Sequence, residues 1–273
     1  MKAIQDLTVL ITGATDGLGK DLALRFAKEG SMVLLHGRNP EKGQAVLEEI
    51  IQKTGNKNLR YFNADFASLQ SVRDLGGELK KQYQNLDILI NNAGIGSTKM
   101  NVRELSTDGY ELTLCVNYLA PFLLTHLLLP MLHHRDTSKI INIASGSQQE
   151  LNFDDLMLDH NYSGRKAYAQ SKLALILFTF TLAGQSKDST LRVNAIHPET
   201  RMNTKMVLDY YGSAESTIEA GTENVWYVAT STEVENLTGV YFNKATPAKA
   251  DPQAYDPIAR DKLYRLSKDL VKI

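Results

Sequence analysis

The chain has 273 residues, 43% of them hydrophobic, and its 30 basic and 31 acidic side chains leave a formal net charge of -1. That length and apolar content fill the core of one large domain, 1–273, and the even mixture of charges excludes the basic footprint of a nucleic-acid or acidic-membrane binder, leaving a small molecule as the expected partner. The single cysteine, Cys115, excludes an intramolecular disulfide framework and suits a reducing compartment.

From the N-terminus, MKAIQDLTVLITG lacks the charged, apolar and small-residue order of a secretory signal, so a cytoplasmic location is expected and the sequons at Asn161 and Asn236 carry no meaning. The first strand, LTVLI, runs into the turn TGATDGLG, and a helix over 17–29 follows. Gly13 permits a tight turn there, while Gly17 and Gly19 let backbone amides approach a pyrophosphate. Strands MVLLH, RYFNA, DILI, KIINIA, RVNAI and VYF then alternate with helices near 40–53, 68–84, 107–133, 164–184, 214–229 and 257–271. This alternation predicts an α/β fold, a Rossmann-type doubly wound parallel sheet of about seven strands with helices on both faces. The apolar run LCVNYLAPFLLTHLLLPML is interrupted by Asn117, Pro121, Thr125, His126 and Pro130, and is read as a buried or subunit-contact helix rather than a membrane span. The six histidines show no ligand spacing, and His133 with His134 reads as a solvated helix end, so no metal site is expected.

Tyr168 and Lys172 stand four residues apart on a predicted helix, which places both on one face. A phenol titrating near ~10 needs roughly 4 kcal/mol to be poised near ~7, and a unit charge about 4 Å away supplies on the order of 4 kcal/mol at an effective dielectric near 20. One lysine, helped by an oxidised nicotinamide, is then enough. Tyr162 with Lys166 and Tyr264 with Lys268 repeat the spacing. Gly164 interrupts the first of these, and Tyr264 reads as a partly buried anchor on the last amphipathic helix. Only Tyr168 leads into the run LALILFTFTLA, between a strand ending near Ser145 and the strand RVNAI.

These motifs, in this order, resemble the short-chain dehydrogenase/reductase family over essentially the whole chain. Gly13, Gly17 and Gly19 match its glycine-rich turn, Asp65 its adenine-holding acid, and Asn91, Asn92, Ala93 and Gly94 its NNAG after the fourth strand. Asn117, Ser145, Tyr168 and Lys172 match its catalytic residues. The resemblance implies hydride transfer with Tyr168 as general acid or base and Ser145 bonded to the substrate oxygen. Lys172 would hold the ribose and depress the phenol, and Asn117 would anchor a relay water. It also implies that Thr15, Asp16, Leu18, Arg38, Asn39, Phe66, Pro198 and Thr200 line the cofactor site. The long interval from Ser145 to Tyr168 with its FDDL segment, the HGRN after the second strand and the terminal DKLYRLSKDLV helix resemble the retinol dehydrogenase-like branch, which includes protochlorophyllide reductases. That branch implies a lipophilic alcohol, aldehyde or ketone as substrate.

Gly37 occupies the slot where an acidic side chain would hold the ribose of NAD, and Arg38 beside it suits a 2′-phosphate, so NADP(H) is favoured over NAD(H). Asp16 is the contrary sign, because NADP-dependent relatives often carry a basic residue there. Glu199 replaces the glycine that usually follows Pro198, and either Asn203 or Thr204 fills the place of the family's cofactor-touching threonine. By the same analogy a substrate lid spans about 199–215, with Met202, Met206 and Tyr210 at helical spacing, and the helices near 107–133 and 164–184 could pair subunits into a homodimer or homotetramer. The alternative reading is a non-catalytic NADPH-binding redox sensor, against which the intact Tyr168, Lys172, Ser145 and Asn117 argue. A methyltransferase on a similar fold leaves Tyr168 and Lys172 unexplained.

Overall fold

The computed structural model describes residues 2–96, 102–132, 137–186 and 190–273, so the expected place of His133 and His134 lies outside the described residues. The chain runs β1 (Thr8–Ile11), α1 (Gly17–Lys28), β2 (Met32–Gly37), α2 (Pro40–Thr54), β3 (Leu59–Asn63), α3 (Leu69–Gln82) and β4 (Ile88–Asn91). A long apolar helix follows in three parts: α4 (Leu112–Leu114), a π turn (Cys115–Leu119) and α5 (Ala120–Leu132). Then come β5 (Ser138–Ile143), α6 (Gly164–Gln185), β6 (Leu191–His197), α7 (Lys205–Tyr211), α8 (Ile218–Thr230), β7 (Tyr241–Asn243), β8 (Thr246–Ala248) and α9 (Pro257–Val271).

The strands form one sheet in the order β3-β2-β1-β4-β5-β6-β7-β8. Neighbours are parallel throughout except β7 with β8. Strand β8 is additional to the seven expected. It carries Pro247, whose missing N–H is tolerated only at an edge, and the edge is where it lies. The central strands are buried on both faces, as their unbroken apolar runs require. On one face, Phe26 of α1 meets Trp226 of α8 with ring centroids 4.7 Å apart over Val9, Ile11 and Ile90. On the other, α3, α5, α6 and α9 bury Leu75, Phe122, Phe178 and Leu263 in a second cluster.

The long helix begins at Leu112, later than expected. Residues 105 and 111 form a bridge that holds the preceding segment as a loop, and Glu111, itself buried, caps the helix by accepting from the N–H groups of Thr113 and Leu114 at 2.9 and 2.6 Å. Leu112–Leu132 is long and apolar enough to cross a membrane by length and composition, but 78% of its apolar 18-residue window is buried inside the fold. Part of its cover is α9. Tyr118 shares a 2.6 Å hydrogen bond with Ser267, and Tyr264 lies 3.0 Å from His126 Nε2, which gives Tyr264 the anchoring role expected of it.

The order of strands reverses between β1 and β4, with Ile11 opposite Ile90. In an open parallel sheet the carboxyl ends beside such a reversal form a crevice, and the glycine-rich turn, the NNAG segment, Ser145 and Pro198 all follow strands that end there.

Candidate active site

The glycine-rich turn is shaped to leave its floor bare. Gly13 and Gly17 adopt φ of +65° and +50°, the left-handed region that only glycine enters freely. A Cβ on Gly19 would lie 2.3 Å from the Gly13 carbonyl and 2.4 Å from Asn92 Nδ2. Asn92 in turn donates to the carbonyls of Thr12 and Gly13 at 2.8 and 3.1 Å, and the Ala93 N–H reaches Thr12 Oγ1 at 3.0 Å. The NNAG segment is therefore the buttress of the turn. Helix α1 starts at once, so Leu18 and Gly19 lie in a first turn whose N–H groups have no carbonyl four residues back. These features fit a pyrophosphate lying over Gly17 to Gly19.

His36 was not among the residues singled out in the sequence, yet it joins three parts of this crevice. Its Nδ1 accepts from the Gly13 N–H at 3.3 Å, so Nε2 carries the proton and donates to the Ala64 carbonyl at 3.0 Å. Its ring stacks on Phe66 at 4.3 Å. Phe66 thus turns its side chain inward and offers a nucleotide only its backbone. Burial is the main cause that holds His36 down to about 4. Below the ordinary imidazole value of ~6.5 the unfolded chain takes up a proton that the fold refuses until about pH 4, so stability falls across that window, by on the order of 3 kcal/mol at most. Urea unfolding at pH 7 and 4.5 should show a clearly smaller acid loss for His36→Phe than for the wild type.

At the adenosine end, Arg38, Asn39 and Asp65 are exposed. Asn39 caps α2 by accepting from the Lys42 N–H at 2.8 Å, and one Asp65 carboxylate oxygen accepts from the Ala67 N–H at 3.0 Å. A Cβ on Gly37 would lie 2.5 Å from the Thr15 methyl, so close packing as well as charge excludes an acidic side chain from that slot. Asp16 caps α1 through Gly17 N, and the Lys42 ammonium, 2.6 Å away, is the largest cause holding its carboxyl below the usual value.

The four expected catalytic residues converge. Lys172 and Tyr168 share one face of α6, with the ammonium 5.7 Å from the phenol ring centroid. Tyr168 hydrogen-bonds to Ser145, and Asn117 Oδ1 and Lys172 Nζ both lie within 3.4 Å of where a Cβ on Gly94 would be. Two details of their surroundings bear on the roles expected of them. Lys172 donates to the Ile143 carbonyl at 2.8 Å and is itself pushed down to about 8 by burial. Among the chain's own groups the Ser145 hydrogen bond is what lowers the phenol, and burial outweighs it. Burial pushes Tyr168 up, with Tyr211 adding to the rise and the Ser145 hydrogen bond opposing it. Asn117 is held through its side chain by protein partners. It accepts from the Ile95 N–H at 2.8 Å and donates to the Ile95 carbonyl and Ser171 Oγ, each at 3.0 Å. Both Nδ2 protons are thus used, which leaves the main chain inside the π turn and the second lone pair of Oδ1 for a water.

The other two Tyr-x-x-x-Lys pairs lie elsewhere, Tyr162 beside Ile95 and Gly96 and Tyr264 against His126. Lys166 and Gln170 face away from Tyr168, into an open polar cleft of about 660 Å³ shared with Glu150 and Asp251. Within the segment expected to form a lid, residues 205–211 fold as α7, and Met202 precedes that helix to bridge Ser216 rather than continuing it. Met206 packs against Gly96, and Tyr211 approaches Tyr168. Pro198 is buried and its carbonyl accepts from Asn224 Nδ2 at 2.8 Å. Glu199, in the glycine position, pairs with Lys244 at 2.8 Å and accepts from the Thr200 N–H at 2.8 Å. Thr200 is exposed, its hydroxyl 3.2 Å from His197 Nε2, whereas the Thr204 methyl would meet a Cβ on Gly17 at 3.2 Å. Of the two candidates for the family's cofactor-touching threonine, Thr204 is the one seen to pack on the glycine-rich turn. Among the described residues no three His, Cys, Asp or Glu side chains gather as metal ligands.

A dinucleotide crevice opening onto a tyrosine, a lysine and a serine defines an oxidoreductase that acts on CH–OH donors. The chain belongs to the short chain dehydrogenase family, whose model matches residues 7–211. It is 34% identical to retinol dehydrogenase 13 of Mus musculus over 97% of this chain and 83% of that one. To dehydrogenase/reductase SDR family member 13 of Bos taurus it is 32% identical, over 99% and 74% respectively. Among solved structures it resembles an uncharacterised protein from Mycobacterium paratuberculosis, with a TM-score of 0.78 at 29% identity, covering 99% of this chain and 97% of that one. A Shigella flexneri short chain dehydrogenase complexed with NADP gives a TM-score of 0.72 at 26% identity, covering 89% and 99%.

Proposed function

We propose that the protein is an NADP(H)-dependent oxidoreductase that interconverts a lipophilic alcohol with its ketone or aldehyde, with Tyr168 as the proton-transferring group. The observation that carries this reading is the convergence of Tyr168, Ser145 and Lys172 beside Gly94 at the mouth of the nucleotide crevice. When bound, NADP(H) supplies the hydride and, oxidised, a positive ring.

Ser145 Oγ accepts from the Ser147 N–H at 3.0 Å and its hydroxyl meets Tyr168, so with substrate bound its proton would turn to the substrate oxygen. Tyr168, held above the ordinary phenol value, stays protonated at neutral pH and is loaded to donate to a carbonyl oxygen as it gains negative charge. Reductive turnover is expected to be flat from pH 6 to 8, a prediction that stopped-flow single turnovers can check. Lys172 would hold the ribose hydroxyls, and the main-chain carbonyl of Asn117 would hold the relay water.

Met206 packs against Gly96 and Tyr211, half exposed, lies near Tyr168, apolar surface that suits a greasy substrate and agrees with the named activity of the retinol dehydrogenase relatives. Purified protein should consume NADPH with a panel of long-chain and isoprenoid aldehydes. Binding of NADPH with no turnover on the panel would instead support a sensor.

The proposed location is the cytoplasm. Because α9 covers the face of α5 and α6 on which a four-helix subunit contact would form, the protein should be a monomer of 30.4 kDa. Light scattering at twice or four times that mass would show that subunits pair by another surface.

A further inference from the structure

The main-chain carbonyl of Ser145 lies past the end of its strand. Strand β5 stops at Ile143, and the Ala144 N–H still reaches the Ile196 carbonyl of β6 at 2.8 Å. Gly146 follows Ser145 and brings no side chain to restrict the peptide between them. Ser145 is only 8% exposed, so its carbonyl needs partners inside the fold. It has two. Gln148 Nε2 donates to it at 2.9 Å and the Tyr241 hydroxyl at 3.1 Å, which occupies both lone pairs of the oxygen.

Both donors are held by a part of the chain beyond residues 7–211, the stretch that the family's model matches. Gln148 Oε1 accepts from the Asp251 N–H at 2.7 Å. Two residues further on, Gln253 accepts from the Leu151 N–H at 2.7 Å and donates to the Leu151 carbonyl at 3.1 Å, so the loop after Ser145 is stitched to the segment that leads into α9. Tyr241 is buried on β7, in register with Ala195 of β6. Burial pushes its phenol up to about 12, which keeps it a donor at any pH at which the enzyme would work. With the carbonyl fixed, the Ser145 side chain retains one rotation, and its contacts with the Ser147 N–H and Tyr168 set that rotation.

We infer that Gln148 and Tyr241 are positioning residues for Ser145: by holding its carbonyl they aim its hydroxyl at the oxygen that Tyr168 protonates, and the segment around Asp251 becomes part of the frame of the active site. The inference rests on the reading of Ser145 as the group that bonds the substrate oxygen.

The test is a double-mutant cycle. Gln148→Met and Tyr241→Phe are each made in the wild type and in Ser145→Ala, with thermal melts to confirm folding, and single-turnover reduction of a confirmed substrate is measured together with the NADPH dissociation constant. Each should slow hydride transfer by about 5- to 10-fold in the wild type, leave NADPH binding within about 2-fold, and cost nothing further once Ser145 is alanine. The ¹³Cζ resonance of Tyr168 in tyrosine-labelled protein, identified with Tyr168→Phe, reads the same contact without substrate or cofactor. It should move in Ser145→Ala, move in both positioning variants, and show no added change in the double variants. Equal losses in the two backgrounds would overturn the inference, because the side chains would then act on the fold at large. So would full activity and an unmoved Tyr168 resonance in both single variants. If Ser145→Ala itself changes neither turnover nor that resonance, the reading of Ser145 fails and the inference fails with it.

Discussion

Tyr168→Phe should reduce turnover of a confirmed substrate by about 10²–10⁴-fold while leaving the NADPH dissociation constant within about 2-fold. The substitution removes one oxygen and keeps the ring, so packing against the Lys172 ammonium at 5.7 Å from the ring centroid is preserved. The hydroxyl it deletes bonds to Ser145 and lies near Tyr211, which places it at the substrate side of the site and away from the glycine-rich turn. Ser145→Ala should cost turnover too, by a smaller factor, since the proton donor remains. Single-turnover hydride transfer and nucleotide titration separate the two effects. A Tyr168→Phe protein that keeps the wild-type rate would remove Tyr168 from the chemistry and leave the convergence of these side chains without a function.

Much of this site is readable because its parts are local and chemically restrictive. A left-handed turn demands glycine, a strand buried on both faces demands an unbroken apolar run, and two groups on one helix face demand a four-residue spacing. The glycine-rich turn, the central strands and Tyr168 with Lys172 are all of this kind. What was not legible depends on partners distant in sequence. The π turn at Asn117 accompanies side-chain bonds to Ile95 and Ser171, 22 and 54 residues away. His36 reads as one more residue of a strand until Gly13, Ala64 and Phe66 surround it. Strand β8 is hidden by Pro247, since a proline argues against a strand wherever the edge position is unknown. The rise in the Tyr168 pKa is a balance of burial against one hydrogen bond, and spacing along a helix reports neither.

Gly19→Ala sets two of these levels against each other and is expected to be the most damaging small change in the cofactor site. By helix propensity alone, alanine in the first turn of α1 should stabilise the helix by up to about 1 kcal/mol. The contact opposes this. The added Cβ would lie 2.3 Å from the Gly13 carbonyl oxygen and 2.4 Å from Asn92 Nδ2, and neither is the yielding end of a flexible chain. Asn92 is tied to Thr12 and Gly13, and Gly13 is tied to His36. The clash can therefore be relieved only by moving the turn off its buttress, at about 1–3 kcal/mol. The clash outweighs the propensity gain, so the melting temperature should fall by several degrees. The nucleotide should suffer more, because the displaced turn withdraws the backbone from the pyrophosphate, and NADPH affinity should drop by at least about 10-fold. A Gly19→Ala protein that melts higher than wild type and binds NADPH equally well would show that the Gly13, Gly19 and Asn92 contact is not what shapes the crevice.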